Sequence, residues 1–250
     1  MKCIYLSPSV QQFNEYVNGG NEEQYMNLIA DSTAKYLSEF GICYTRNTPD
    51  MTIAEIINQS NSGDYALHLA IHSNAAPEGL YGEIRGSEVY YYPTSEKGSL
   101  LAQIIAENLK GIYPNPNDVS VRTTRSFAEL RRTKAPSVLV EVAYHDNEED
   151  ANWIKDNIDP IGQALAVSVK EFLDLLCECD LDDNAENRGR VMTMGGNLNM
   201  RQSASLNSPV IDVIPNNTVV NVLDCEGKWY KILYNGNEGY VFKLYIALID

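Results

Sequence analysis

Short apolar runs alternate with segments of helical periodicity throughout the first 176 residues. Strands are predicted at five runs, which are CIYL (3–6), ICYT (42–45), YALHLAI (65–71), EVYYY (88–92) and SVLVEVAY (137–144). Helices are predicted between and after them, near 22–40, 51–61, 96–112, 126–132, 147–157 and 160–176. Strands separated by helices need right-handed crossovers. The pattern therefore predicts an α/β domain, residues 1–176, with a mainly parallel sheet covered by helices on both faces.

The character of the sequence changes after residue 176. Residues 177–187 carry five acids and no Lys or Arg, which predicts a solvated acidic linker, with a metal site at Cys177 and Cys179 as the alternative. Across 188–250, short strands are separated by turn residues about every ten positions, which is typical of a small all-β barrel. Asn235-Gly236 predicts a hairpin turn there.

The net charge excludes two classes of partner. The chain carries 19 Lys and Arg against 34 Asp and Glu, a formal charge of −15. Phosphate backbones and anionic membrane surfaces repel such a protein, so we expect no nucleic-acid partner. No apolar run reaches the ~20 residues needed to cross a bilayer, so we expect no membrane insertion. No secretory leader is visible, so the sequence does not show by which route the protein would leave the cytoplasm. The five cysteines are odd in number and scattered, which indicates buried or idle thiols rather than a disulfide framework.

His72 stands where a buried strand is predicted to pass into a polar Ser-Asn-Ala turn. Ligands of parallel α/β sheets bind beyond the carboxyl ends of the strands, so this position favours a functional role. His68 lies four residues earlier on the same strand, and at ~3.3 Å per residue the two rings are roughly 13 Å apart. We therefore expect that the two rings do not share one ion, and that His68 is a hydrogen-bonded core histidine.

Three carboxylates occupy informative positions. Glu141 interrupts an apolar run that should be buried on both faces, and a lone buried carboxylate costs several kcal/mol unless it is paired or binds a cation. Its position favours catalysis. The alternative is an ion pair with one of the nearby basic residues, which are Arg131, Arg132 and Lys134. Glu22 and Glu23 open the first helix, where a carboxylate interacts favourably with the helix dipole whatever its function.

Four ordered motifs carry a family resemblance, and they are NEEQYMNLIA (21–30), TRN (45–47), HLAIHSNA (68–75) and LRRTKAPSVLVEVAYHDNEED (130–150). Over about residues 2–176 the sequence resembles the zinc-dependent N-acetylmuramoyl-L-alanine amidases of the amidase-3 family. The resemblance implies Zn²⁺ ligands at Glu22, with Glu23 as the one-residue alternative, and at His72. It implies a catalytic glutamate at Glu141.

The same resemblance implies a reaction and a place of action. The family hydrolyses the amide between the lactyl group of N-acetylmuramic acid and the first L-alanine of the stem peptide. Peptidoglycan is then the partner, at the cell wall or outside the cell. A bound Zn²⁺ polarises the amide carbonyl and activates water, and a carboxylate at Glu141 can take the proton of that water and return it to the leaving amine.

The loop after the first strand departs from the family pattern. The family's first metal histidine lies there, whereas SPSVQQFNEYVNGG (7–20) contains no histidine. A catalytic zinc normally has three protein ligands. The candidates for the third position are an oxygen of Gln11, Asn14 or Glu15, or a water. Two other hypotheses stay open: a catalytically weak amidase fold that serves as a wall-binding or regulatory module, and a different zinc hydrolase acting on another peptide-like amide.

The C-terminal part carries a second resemblance. Residues 189–250 resemble a bacterial SH3 domain, through LNMRQSASLNSPVIDVIPNNTVVNVLD (198–224) and KWYKILYNGNEGYVFKLYI (228–246). The resemblance implies a targeting or docking role. We expect Trp229 to pack in the core, and an aromatic groove for wall peptide remains open. Its candidate residues are Trp229, Tyr230, Tyr234 and Tyr240.

Overall fold

Two units make up the chain. A computed structural model of the protein describes residues 3–176, 181, 187–193 and 196–249. The units are Met1–Phe172 and Leu173–Asp250. The predicted acidic linker and its Cys177-x-Cys179 pair lie outside the described residues, apart from residues 181 and 187. The domain limits at 176 and 188 stay predictions.

Six strands and six helices lie within the described residues 3–176. The strands are β1 (Ile4–Pro8), β2 (Tyr44–Arg46), β3 (His68–Asn74), β4 (Ser87–Tyr91), β5 (Val119–Thr123) and β6 (Ser137–Tyr144). The helices are α1 (Glu22–Glu39), α2 (Ile53–Ser62), α3 (Glu96–Lys110), α4 (Ala128–Arg132), α5 (Glu148–Asp156) and α6 (Ile158–Leu176). A 3-10 turn at Pro116–Asp118 precedes β5.

The sheet of this unit has the order β2-β1-β3-β6-β4-β5. Neighbouring strands of the sheet are parallel, except that β4 runs antiparallel to β6. Every residue of β1 and of β6 is buried, although successive side chains point to opposite faces. Both faces of the central strands are therefore covered, which confirms the predicted mainly parallel, two-sided α/β sheet.

Two strands differ most from the sequence prediction. The edge strand β5 was not predicted, and most of its residues are at least partly exposed, so it lacks the apolar run on which strand prediction depends. The third strand begins later than predicted and runs through Asn74. His72 therefore lies inside β3, two residues before its end, rather than in the turn that follows. The pairing of β3 with β6 is regular up to His72 and shifts register between His72 and Asn74.

Helix α1 begins at the predicted residue 22 and ends at Glu39, one residue before the predicted end. The side chain of Asn21 accepts a hydrogen bond from the backbone N–H of Gln24, as an N-cap should. Gly41 follows the helix with a φ of +70°, a left-handed conformation that favours glycine. The cap fixes Glu22 as the first helical residue, so the direction of its side chain is set by the start of the helix.

A disulfide joins Cys3 to Cys43, across 40 positions of sequence. Cys225 is also disulfide-bonded. The prediction of buried or idle thiols is therefore wrong for these three residues. The number and spacing of the cysteines did not predict this bond, because the pairing depends on the parallel alignment of β1 with β2. That alignment brings residue 3 beside residue 43. The bond closes a covalent ring that contains all of α1.

The β6–α5 connection holds the loop between β3 and β4. This loop, residues 75–86, returns the chain to the antiparallel strand β4 without a helical crossover. The carboxylate of Asp146 accepts hydrogen bonds from the backbone N–H groups of Ala76 and Gly82, each at 3.0 Å. Asn147 donates from its side chain to the carbonyl of Gly82 at 2.7 Å. Two loops at the carboxyl end of β3 and β6 are thus joined.

The second unit contains an antiparallel sheet with a core of its own. Its described strands are β7 (Arg188–Val191), β8 (Leu198–Arg201), β9 (Val210–Ile214), β10 (Val219–Glu226), β11 (Trp229–Tyr234), β12 (Asn237–Phe242) and β13 (Ile246–Ile249). They pair in the order β13-β7-β10-β11-β12-β8-β9. Asn235 and Gly236 both have positive φ between β11 and β12, as the hairpin prediction requires. Trp229 is buried, as expected.

The sequence predicts no membrane insertion, and the length and hydropathy of the helices are the relevant observations. Within the described part of the chain, no helix is both long enough and apolar enough to cross a bilayer.

Candidate active site

Strand register brings three polar side chains into one row across the middle of the sheet. His72 of β3 lies opposite Glu141 of β6, and Glu141 lies opposite Glu88 of β4. Directly paired residues point to the same face of a sheet. His72 and Glu141, the two residues that the sequence singled out on separate strands, are therefore neighbours on one face.

Glu22 reaches the same place from the start of α1. Its side chain is only 1% exposed, and its Oε1 lies 2.9 Å from Nδ1 of His72. A carboxylate that served the helix dipole alone would have no reason to be buried against a histidine. Glu23, the one-residue alternative, makes no hydrogen bond to His72 among the described residues. Glu22 is thus the carboxylate that converges with His72.

The loop between β1 and α1 supplies two amides to this pair. Nε2 of Gln11 lies 3.3 Å from Nδ1 of His72. Asn14 donates from Nδ2 to Oε2 of Glu22 at 2.5 Å and to Oε1 of Gln11 at 3.2 Å. Glu15 is exposed and bridges through its backbone to Asn21. Of the three side chains considered for a third metal ligand, the structure brings Gln11 and Asn14 to the pair.

Glu141 is a buried carboxylate with one free oxygen. Its side chain is 8% exposed, and Oε2 has no hydrogen-bond partner among the described residues. Burial raises the pKa of Glu141 to about 7, against the attraction of His72 and with further contributions from the charges of Glu22 and Glu88. None of the described ion pairs joins Glu141 to the basic residues proposed as partners, and Lys134 instead donates to the carbonyl of Asn61. A carboxyl group with such a pKa can both accept and donate a proton near neutrality.

The sequence did not indicate a fourth carboxylate, Glu129 of α4. Its Oε2 lies 3.3 Å from Nε2 of His72, and its Oε1 lies 3.0 Å from Nε2 of His68. Ser7 of β1 donates to the same Oε1 at 2.5 Å. In the sequence, the sign that Glu129 is buried is its position directly before the apolar Leu130. The adjacent arginines hide this sign, because they make the segment resemble a solvent-exposed helix.

His68 has the role expected of it. It is fully buried, and its Nδ1 lies 2.9 Å from the hydroxyl of Ser60 while its Nε2 faces Glu129. The ring also stacks on Tyr5 at a centroid distance of 5.1 Å. Both ring nitrogens are satisfied inside the core. One carboxylate, Glu129, contacts Nε2 of both rings of β3, so these nitrogens lie closer together than the roughly 13 Å predicted from the strand rise. The strand rise fixes the separation of the backbone positions and not that of the ring nitrogens.

The charge balance of the site is set by His72 between two carboxylates. Burial alone would lower the pKa of His72, but the hydrogen bonds and charges of Glu129 and Glu22 raise it well above its usual value. Burial likewise opposes ionisation of Glu22, yet the hydrogen bonds from His72 and Asn14 hold its pKa below the ordinary value. The pKa of Glu129 is lowered in the same way by His68 and His72, again against burial. The pocket thus favours a positive charge at the His72 ring.

Imidazole and carboxylate are the donor types that zinc prefers besides thiolate. Among the described residues, no group of three His, Cys, Asp or Glu side chains is placed to hold a metal. Nδ1 of His72 and Oε1 of Glu22 do face each other at 2.9 Å, close to the ~3.3 Å between ligands that share a tetrahedral ion with ~2 Å bonds. Half a turn of the Gln11 amide would present its oxygen at the same place. The residues therefore fit a divalent cation with two strong donors and one weak donor.

Two protein-family models match this chain. A family model described as N-acetylmuramoyl-L-alanine amidase, amidase-3, matches residues 11–171, more than half of the sequence. The chain belongs to the amidase-3 family. A second model, described as bacterial SH3 domain, matches residues 196–247. The family assignment covers all of the residues that converge around His72.

Individual relatives agree with the family. The chain is 27% identical over 139 residues to "Probable cell wall amidase LytH" of Staphylococcus aureus. That alignment covers 55% of this chain and 44% of the relative, so the chain matches less than half of the relative's length.

Solved structures share the fold of this family member. One is the N-acetylmuramoyl-L-alanine amidase AmiC2 of Nostoc punctiforme, with a TM-score of 0.62 and 19% identity over 69% of this chain and 97% of that one. Another is the catalytic domain of the CD27L endolysin targeting Clostridia difficile, with a TM-score of 0.57 and 24% identity over 68% of this chain and 97% of that one. At these identities the likeness establishes the fold alone.

Proposed function

We propose that this chain is a peptidoglycan hydrolase that cleaves the amide between N-acetylmuramic acid and the L-alanine of the stem peptide. The observation that carries the proposal is the convergence of Glu22 and His72 beside Glu141, whose Oε2 has no hydrogen-bond partner among the described residues. Membership of the amidase-3 family supports the substrate class. Water adds across the C–N bond, leaving a carboxylic acid on the lactyl group and a free amine on L-alanine.

The proposed cofactor is Zn²⁺, held by Nδ1 of His72 and Oε1 of Glu22, with the amide oxygen of Gln11 or a water as the third ligand. When bound, the ion supplies Lewis-acid polarisation of the carbonyl and acidifies water. Glu141 accepts the proton of the attacking water and delivers it to the departing nitrogen. Burial brings the pKa of Glu141 to about 7, so the group can take up this proton and give it up again near neutrality, and within the described residues no hydrogen bond to Oε2 holds either form.

The proposed place of action is the cell wall or the extracellular space. The disulfide between Cys3 and Cys43 supports it, because such bonds persist mainly in oxidising compartments. The name of the staphylococcal relative points the same way. The SH3-like unit is the proposed wall-docking part, consistent with its family match.

A second candidate is a catalytically weak amidase fold that binds wall without cutting it. The observation that favours it is the amide of Gln11 beside His72, in a loop that holds no histidine. Neutral amide oxygens bind zinc less tightly than imidazole does. Metal occupancy and turnover separate the two candidates.

The test uses the full chain on purified peptidoglycan sacculi. Bound zinc is measured per chain, and new L-alanine N-termini are counted after digestion. We expect about one zinc per chain, release of stem peptides, and a 10²–10⁴-fold lower rate for Glu141→Gln. Glu148→Gln changes an exposed carboxylate of α5 and serves as the matched control, with the rate unchanged. Binding of sacculi without any new L-alanine N-termini would establish the second candidate instead.

A further inference from the structure

Glu129 and its partners form a buried polar network behind His72. Each oxygen of the Glu129 carboxylate faces a different histidine, with Oε2 3.3 Å from His72 and Oε1 3.0 Å from His68. Ser7 donates a further hydrogen bond to Oε1. All four residues have little or no exposure, and Glu129 itself is 3% exposed. The chemistry outlined above gives this network no role.

The orientation of the His72 ring depends on what holds its second nitrogen. Nδ1 faces Glu22, where the cation is proposed to bind, and Nε2 faces Glu129. A carboxylate can only accept, so the positively charged ring donates from Nε2 to Glu129 and from Nδ1 to Glu22. A cation bound beside Glu22 would take the place of the Nδ1 proton, and because Glu129 keeps the proton on Nε2, the lone pair that becomes available lies on Nδ1. A partner on the far nitrogen of a metal-binding histidine fixes both the ring angle and the tautomer.

Glu129 can do this only if it is itself immobile, and three neighbouring elements immobilise it. Ser7 comes from β1 and His68 from β3, which are paired strands of the sheet. His68 is held in turn by Ser60 of α2. At the backbone of α4, Thr133 donates its hydroxyl to the carbonyl of Glu129 at 2.5 Å. The carboxylate is thus tied to two strands of the sheet and, through His68, to α2, while the Thr133 hydroxyl holds the backbone that carries it.

We propose that Glu129 is a positioning residue that orients Nδ1 of His72 toward a divalent cation, with His68 and Ser7 holding the Glu129 carboxylate in place. The inference rests on the proposed function for the presence of the cation. It assigns to α4 a part in metal binding that neither the sequence motifs nor the three site residues include. It also gives a reason for a histidine at position 68, where burial alone would favour an apolar residue.

The test measures metal affinity rather than turnover. Zinc dissociation constants are determined by chelator competition for the full chain, and the visible absorption spectrum of the cobalt-loaded chain reports ligand geometry. Glu129→Gln keeps the shape of the side chain but leaves one acceptor oxygen for two rings and a hydroxyl. We expect zinc affinity to fall 10–100-fold and the cobalt spectrum to change. Ser7→Ala removes one support of Glu129, and a smaller loss of affinity is expected.

Tyr113→Phe is the matched control, because it removes another buried hydroxyl that donates to a buried carboxylate, that of Asp150 at 2.5 Å. It should lower thermal stability while leaving zinc affinity and the cobalt spectrum as in the wild type. Wild-type affinity in Glu129→Gln would overturn the inference; if that variant does not fold, wild-type affinity in Ser7→Ala would do the same. A wild-type chain that binds no zinc would also overturn it. Absence of muramyl-amide cleavage by a zinc-loaded chain would refute the proposed function alone.

Discussion

Removal of the Cys3–Cys43 disulfide should destabilise the first unit by an amount that follows from the length of the closed ring. The bond spans 40 positions of sequence. Loop-closure entropy for a ring of that size corresponds to about 4 kcal/mol at 25 °C. Cys43 is exposed and Cys3 half-buried, so replacing them with serine removes little packing. The expected loss of stability therefore comes almost entirely from the unfolded chain, which is no longer constrained by the bond.

The assay is urea unfolding of the full chain, followed by tryptophan fluorescence. The chain has two tryptophans. Trp229→Phe leaves only Trp153, which is buried against Tyr113 in the first unit, as the reporter. With an m-value of about 2.5 kcal/mol/M, the double replacement Cys3→Ser with Cys43→Ser should lower the midpoint by ~1.6 M. Cys43→Ser alone should give the same shift. A midpoint lowered by less than ~0.4 M would refute the ring-closure argument.

Three further predictions concern single residues. His72→Ala should abolish zinc binding while His68→Ala mainly lowers the melting temperature; equal zinc retention in both variants contradicts the separation of their roles. Gln11→His should tighten zinc binding at least tenfold in chelator competition, because an imidazole replaces an amide 3.3 Å from Nδ1 of His72; unchanged affinity would mean that position 11 does not face the ion. Burial raises the pKa of Asp150, so the folded state favours the protonated side chain. The resulting stabilisation is present at low pH and is lost as the pH rises above the ordinary pKa of an aspartate, about 4. Urea unfolding of Asp150→Asn across pH 4–7 should show a shallower decline with pH than the wild type, and parallel curves would contradict the assignment.

The α/β architecture was predictable because its central strands are apolar on both faces and its helices carry strong boundary signals. Asn21 and Gly41 bound α1 through local backbone chemistry, and SVLVEVAY coincides with β6. The edge strand β5 and the Cys3–Cys43 bond were not predictable in this way. Exposure removes the apolar pattern from an edge strand, and a disulfide depends on which strands become neighbours.

The sequence singled out candidate residues where their chemistry conflicts with the local pattern, and missed Glu129, where it does not. Glu141 interrupts an apolar strand, and His72 ends the apolar part of β3, so each is visible as an exception. Glu129 sits in a short helix beside Arg131, where a glutamate is unexceptional. Its significance comes from contacts with residues 57 and 61 positions away in sequence, which a local pattern cannot contain.

The antiparallel entry of β4 has an evolutionary consequence. Because the loop at residues 75–86 leaves β3 and enters β4 at the same end of the sheet, both of its ends lie close to the row formed by His72, Glu141 and Glu88. A helical crossover would have carried the chain to the opposite end. The loop exposes Leu80 and Tyr81 and is held through Asp146, outside the hydrogen-bonded strands. Insertions and substitutions in this loop can change which substrates the protein binds. The strand register would stay the same, and with it the positions of the side chains in the row.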